Sequence, residues 1–359
     1  MPDSAEVRNT HFLSSLTRGA ANAVETCLGV VPDDVATLIC DEKSMKVAAA
    51  LLDRIDKIGA RTHVFVIERQ AERPVKKLPP EIARALRDST CSVYTAHPLE
   101  GEHAHRKEII SLIGAHRLRH AHMIGASEDS MVQGMLTDYR RVARLNHLVI
   151  GLLEKARSIK VTSPKGTDVT VELDPAEKIH SAAGVIGPGK WENLPSGEVF
   201  TCPKTVDGVF VCDGLPPTEE TVDRFELARK PLRLEIASGK LVNIEGGPES
   251  LANRVLATVR SGKNIERIGM FAIGTNYDLL MPIGDRIQDQ FVPGAYFSLG
   301  RPAATEITSW TSSMQLTFSA KKTSLELDGR AVIDSGRYVA DILDQTRASR
   351  IPPGRLEYR

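Results

Sequence analysis

Little in this chain is extreme, and the shortages are the first information it offers. Lys and Arg number 46 against 46 Asp and Glu in 359 residues. A balanced chain lacks the basic footprint that phosphate neutralisation requires, which argues against nucleic acid as a partner. No segment approaches the roughly 18 consecutive uncharged apolar residues of a membrane-spanning helix. The start, MPDSAEVRNTHFLSSL, has no basic region followed by an apolar one. A cytosolic protein without a membrane partner is the expectation. Cysteine is also scarce: Cys27, Cys40, Cys91, Cys202 and Cys212 are odd in number, widely spaced, and never form a C-x-x-C pair. That excludes a disulfide framework or zinc knuckle and marks them as small buried hydrophobes.

Apolar periodicity is present in quantity. VATLICDE reads as a strand, after which Val47, Leu51, Ile55 and Ile58 recur at helical spacing, Gly59 ends the helix, and THVFVIE resumes as a strand. CSVYTA at 91–96, a helix around Lys107–Ile113 and HAHMIGA at 120–126 continue the alternation. These runs predict a mostly parallel sheet with helices on both faces. Met135, Val142, Leu145, Leu148, Val149, Leu152 and Leu153 predict one long helix between Met131 and Ala156.

The texture then changes to short alternating runs. SIKVTSPKGTDVTVELD, GVFVCDG, LRLEIASGKLVNIEGG, SMQLTFS and LELDGRAVIDSG are strands punctuated by Gly or Asp-Gly, with one helix at Glu249–Arg260. The expected organisation is α/β over 1–156, followed by a β-rich α+β domain over 157–359. The tail RASRIPPGRLEYR reads as a surface extension or interface arm.

WENLPSGEVFTCP at 191–203 concentrates unusual residues before a strand-like run. Asn193-Leu194-Pro195 and Gly197 suit a rigid turn that aims Glu198 and Phe200, with Asn193 as an orienting amide and Trp191 as an apolar wall. The bland alternative for Glu198 is a carboxylate satisfied by nearby backbone N–H groups. Gly274-Thr275-Asn276 is a turn in which Asn276 tolerates positive φ. Two HAH triplets, at 103–105 and 120–122, would each place two imidazoles on one face if both were strands. The second lies beside Arg117 and Arg119, whose charge disfavours a cation.

The order CLGVVPDDVATLICDE, RHAHMIGASED, KVTSPKGTDVTVELD, GKWENLPSGEVFTCP, RIGMFAIGTN, GAYFSLG and LELDG resembles the aminopeptidase T-like metallo-aminopeptidase family. That superfamily is shared with the iron-dependent 2,5-dihydroxypyridine dioxygenases. The resemblance implies a two-domain fold, a homodimer, and a C-terminal cleft holding paired cations. Glu198 falls on the family's first glutamate ligand, whereas Met270 stands in place of its bridging glutamate. Asp289 matches a third carboxylate, Tyr296 replaces a histidine, Ala303 replaces a tyrosine, and Gln315 and Thr317 occupy its H-x-D pair. His180 is the only histidine after residue 150. A thioether, a phenol, an amide and a hydroxyl are poor donors for zinc, cobalt or iron, so no metal or other cofactor is expected.

On that resemblance, the expected function is binding of a peptide or small amino-acid-like ligand without ordinary metallopeptidase activity. Glu198, Asp289 and Tyr296 are the candidate catalytic groups. Trp191, Asn193, Met270, Asn276, Gln315 and Thr317 are the candidate ligand contacts. One alternative is a metal-independent hydrolase or natural-product tailoring enzyme with Glu198 or Asp289 as general base and Tyr296 as acid. The other is a metal-dependent aminopeptidase.

Overall fold

A computed structural model describes residues 2–215, 217, 224–280, 282–303 and 307–348. The chain divides into two compact units. The first comprises 1–140 and 184–196, and the second 141–183 and 197–350. Among the described residues the chain crosses between units at three places, and the boundary expected at 156 falls within the second unit. Residues 349–359, most of the basic tail, lie outside the described residues.

Strands are numbered in chain order. The first unit holds a parallel sheet of β1 (Val35–Cys40), β2 (Arg61–Val66), β3 (Cys91–Tyr94), β4 (Arg119–His122) and β8 (Trp191–Asn193), in the order β2-β1-β3-β4-β8. Helices Met45–Ile58, Pro80–Arg87 and His103–His116 connect its early strands. Val47, Leu51 and Ile55 bury one stripe of the first, and Gly59 closes it in the left-handed region at φ 91°. Thus the expected β-α-β alternation is present.

Two local expectations differ. The long helix begins at Tyr139 and ends at Leu153, while Gly134–Leu136 form a 3-10 turn. Asn22 donates to the carbonyls of Met135 and Thr137 at 2.7 and 2.8 Å, satisfying acceptors outside a helical ladder. The first HAH triplet lies on a helix, so its alternate residues do not share a face. The second lies on β4, which pairs with β3 on one side and β8 on the other, and is therefore interior.

The second unit contains two antiparallel sheets. The eight-stranded one comprises β5 (Ser158–Thr162), β6 (Asp168–Glu172), β10 (Thr205–Cys212), β11 (Leu232–Ala237), β12 (Lys240–Gly246), β16 (Ser324–Leu327), β17 (Arg330–Asp334) and β18 (Arg337–Tyr338). The five-stranded one comprises β7 (His180–Ala182), β9 (Glu198–Thr201), β13 (Ile268–Gly274), β14 (Gly294–Gly300) and β15 (Gln315–Ser319), in the order β15-β14-β13-β9-β7. Val206, Phe210, Leu234 and Leu325 from the larger sheet share one core with Val199, Phe271, Phe297 and Phe318 from the smaller. Phe210 meets Phe297 edge-on at 4.9 Å.

All five cysteines are free and buried. Among the described residues, no helix is long and apolar enough to cross a membrane.

Candidate functional site

Period-two alternation sorts the smaller sheet of the second unit into two faces. Val199, Phe271, Ile273, Ala295, Phe297, Leu299, Leu316 and Phe318 enter the core. The register then places the intervening residues on the opposite face. Glu198 pairs with Gly274 and Ala182, and Phe200 with Ala272 and His180. Tyr296 pairs with Ala272 and Ser319, Ser298 with Met270 and Thr317, and Gln315 with Gly300. Five of the sequence-selected residues, Glu198, Met270, Tyr296, Gln315 and Thr317, consequently share one face.

The middle of this face is apolar. Met270, Ala272 and Tyr296 form a buried cluster against which Phe200 and Ala303 pack. The Met270 sulfur lies 4.0 Å from Nε2 of Gln315, while the Thr317 hydroxyl bonds that of Ser298 at 2.9 Å. The His180 ring stacks on Phe200 with centroids 5.2 Å apart. Polar capacity therefore gathers at the margins: Glu198 on β9, His180 on β7, and the exposed Gln315 on β15.

The other candidates have different settings. Asp289 ends a short helix, Arg286–Asp289, and its two oxygens accept the N–H groups of Ile283 and Gly284 at 2.8 and 2.7 Å. Thr275 and Asn276 are buried. Thr275 donates its N–H to the Gly197 carbonyl at 2.8 Å, and Asn276 donates to that of Phe291 at 3.2 Å. Trp191 and Asn193 lie on β8 of the first unit. Trp191 is 43% exposed and meets the His122 ring edge-on at 5.7 Å.

Two functional supports escape the sequence reading. Asn146, buried on the helix after Tyr139, reaches Ser181, Ala182, Glu198 and Thr275 within the second unit. A lone amide inside the apolar stripe Val142-Leu145-Val149 is the signal that would have found it. In the first unit, Glu192 accepts from the Gly184 N–H at 2.6 Å and from the Ser196 hydroxyl at 3.2 Å, closing the 184–196 excursion. It is the other glutamate of WENLPSGEVF, and nothing in the sequence distinguishes it from a solvated loop residue.

The second HAH pair is a buried contact. His120 Nε2 lies 3.2 Å from His122 Nδ1, and His120 Nδ1 lies 2.8 Å from the Ser92 hydroxyl. Burial lowers both imidazole pKa values, His122 to about 3 with help from the nearby Arg106 charge. Among the described residues, no group of three or more His, Cys, Asp or Glu side chains is arranged to hold a metal ion.

Comparison with known proteins matches this architecture. Residues 121–260 fit the family model described as NicX, 2,5-dihydroxypyridine 5,6-dioxygenase. Over 102 residues the chain is 31% identical to the 2,5-dihydroxypyridine 5,6-dioxygenase of Pseudomonas putida KT2440; that stretch is 28% of this chain and spans only 28% of the relative's length. The solved structure of that species' 2,5-dihydroxypyridine dioxygenase has a TM-score of 0.64 at 19% identity, covering 91% of this chain and 98% of the other. Wild-type AmpT from Thermus thermophilus has a TM-score of 0.67 at 16% identity, covering 91% and 99%.

The fold class is thus the two-domain α/β plus β-rich architecture of aminopeptidase T. Within it, residues 121–260 match the NicX family model, and the chain shares its fold with both the dihydroxypyridine dioxygenase and AmpT structures.

Proposed function

We propose that this protein binds a peptide or small amino-acid-like ligand on the β9-β13-β14-β15 face of its second unit, without ordinary metallopeptidase activity. The observation that carries the reading is the packing of Met270 and Tyr296 with Ala272, Phe200 and Ala303 into an apolar cluster. By resemblance, three of these positions, 270, 296 and 303, belong to the family's metal and active-site residues. A thioether and a methyl offer no anionic oxygen to a divalent ion. Asp289 has both oxygens committed to backbone N–H groups, which opposes its use as the third carboxylate ligand or as a free base. This donor set does not fit paired cations. It suits an apolar side chain over Met270 and Tyr296, with Glu198 meeting an ammonium group at the margin.

Elemental analysis after incubation with zinc, cobalt or iron, together with thermal shift against amino acids and dipeptides, tests the reading. The expected result is stabilisation by a dipeptide or amino acid, following RT ln(1 + [L]/Kd), that Glu198→Gln weakens. One tightly held equivalent of metal with release of N-terminal residues from peptides would overturn it.

A further inference from the structure

The first unit carries polar side chains that the proposed function leaves unused. From β1 the chain passes to β2 on one side and to β3 on the other, so the sheet order reverses between β1 and β3. In open parallel sheets, ligands settle beyond the carboxyl ends of the strands, most often at such a reversal; here the β1 end of the reversal is filled by an ion-pair network, which leaves the adjoining ends of β3 and β4. Just past β1, the buried carboxylate of Asp41 accepts the N–H groups of Ser44 and His97, each at 2.8 Å, and meets Arg73 at 3.1 Å. Arg73 also pairs with Glu68 at 3.0 Å and with Glu102 at 2.7 Å. This guanidinium is fully answered, by three carboxylates and the His97 carbonyl.

The neighbouring guanidinium is not. Arg106 lies in the first turn of the 14-residue helix His103–His116 and is only 7% exposed. Its Nη2 donates to Nδ1 of His103 at 2.9 Å, whereas Nη1 is buried with no hydrogen-bond partner. Other nearby donors and acceptors are already matched. His105 donates from Nδ1 to the Val75 carbonyl at 2.8 Å, which leaves its Nε2 to accept from the Tyr94 hydroxyl at 3.1 Å. The His122 ring stacks on Tyr94 at 5.4 Å and touches Trp191. Tyr94 ends β3 and His122 ends β4, so the His105–Tyr94 bond sets the first turn of this helix, which carries Arg106, at the carboxyl ends of β3 and β4.

A buried charged N–H without an acceptor is costly, and the planar fork of arginine matches carboxylate and phosphate oxygens. The first turn of a helix adds unsatisfied N–H groups and a positive dipole end. We propose that the carboxyl ends of β3 and β4 form a binding site for an oxyanion group, a carboxylate or phosphate carried by a small ligand, with Arg106 as the anchor and His122 and Trp191 as its ring wall. The site lies within the first unit and does not rest on the peptide-binding reading; failure of dipeptides to bind leaves it intact.

The chain contains two tryptophans. In the full chain carrying Trp310→Phe, Trp191 is therefore a single reporter. Inorganic phosphate and acetate are titrated separately at constant ionic strength with chloride as balance, following Trp191 emission and Tm. A saturable response to either is expected; phosphate alone assigns a phosphate ligand, and acetate alone a carboxylate. Arg106→Lys, which keeps the charge and loses the fork, should weaken that response about tenfold, and Arg106→Gln should remove it. No saturable response in the parent protein overturns the proposal. So does undiminished affinity in Arg106→Lys, which carries the test even if Arg106→Gln does not fold.

Discussion

The side-chain amide of Asn146 donates to the main-chain carbonyl of Glu198 at 2.9 Å. The same amide group reaches the Ser181 hydroxyl at 2.9 Å and the Ala182 carbonyl at 3.1 Å, and its oxygen accepts from Thr275 at 2.5 Å. One helical side chain thereby ties β7, β9 and the end of β13 together, just where the candidate face carries its carboxylate. Asn146→Ala would strand several buried polar groups and should cost about 2–4 kcal/mol. Asn146→Asp should cost more, because it removes the donors and points negative charge at carbonyl oxygens. Urea unfolding of both variants measures this; a loss below about 0.5 kcal/mol for either, the scale of an ordinary surface change, would refute the tie.

Gly197 precedes Glu198 with φ at 138°, a region that side chains rarely adopt. A Cβ there would lie 2.7 Å from the Asn276 nitrogen and 2.9 Å from its Cβ. Gly197→Ala should lower stability by about 2–4 kcal/mol and weaken whatever ligand Glu198 contacts. Unchanged thermal unfolding would show that the turn has more room than this packing allows.

Burial of His120 and His122 makes stability depend on pH. Their native pKa values lie below the ordinary imidazole value, that of His122 at about 3. The unfolded chain therefore binds more protons between about pH 6.5 and 3. Their contribution is complete above about 6.5 and is lost as pH falls. For His122 alone the loss at about pH 5 should be about 2 kcal/mol. Denaturant unfolding at about pH 7.5 and 5 checks the direction, and His122→Phe should flatten the slope.

Asp289 separates a structural duty from a chemical one. Asp289→Ala leaves the N–H groups of Ile283 and Gly284 without their acceptors, for an expected loss of about 2–3 kcal/mol; Asp289→Asn should lose about 1. Were Asp289→Asn to unfold like the parent protein yet lose ligand binding, the carboxylate would be a ligand contact instead.

The alternation of strand and helix through the first 126 residues is legible because local periodicity encodes it: VATLICDE, THVFVIE and CSVYTA are apolar runs long enough to declare themselves. Membership of β8 in the same sheet is not. Three residues, Trp191–Asn193, carry no strand pattern, and their parallel pairing with β4 spans some 70 residues of chain. The long helix is correctly typed from Val142 to Leu153 but begins late, because Asn22 captures carbonyls that periodicity assigns to a helical ladder.

The candidate face shows the same division. Composition and motif order alone indicate the fold class, the balance of charge, and the chemical identity of Glu198, Met270, Tyr296, Gln315 and Thr317. Those properties reside in side chains and in short-range spacing, which a linear chain already contains. Their gathering on one face depends on the register of four strands separated by long connections. So do the anchoring of Glu198 by Asn146, the commitment of Asp289 to its own loop, and the unanswered guanidinium of Arg106. Contacts between distant segments arise only when burial and hydrogen-bond satisfaction are solved for all of them at once.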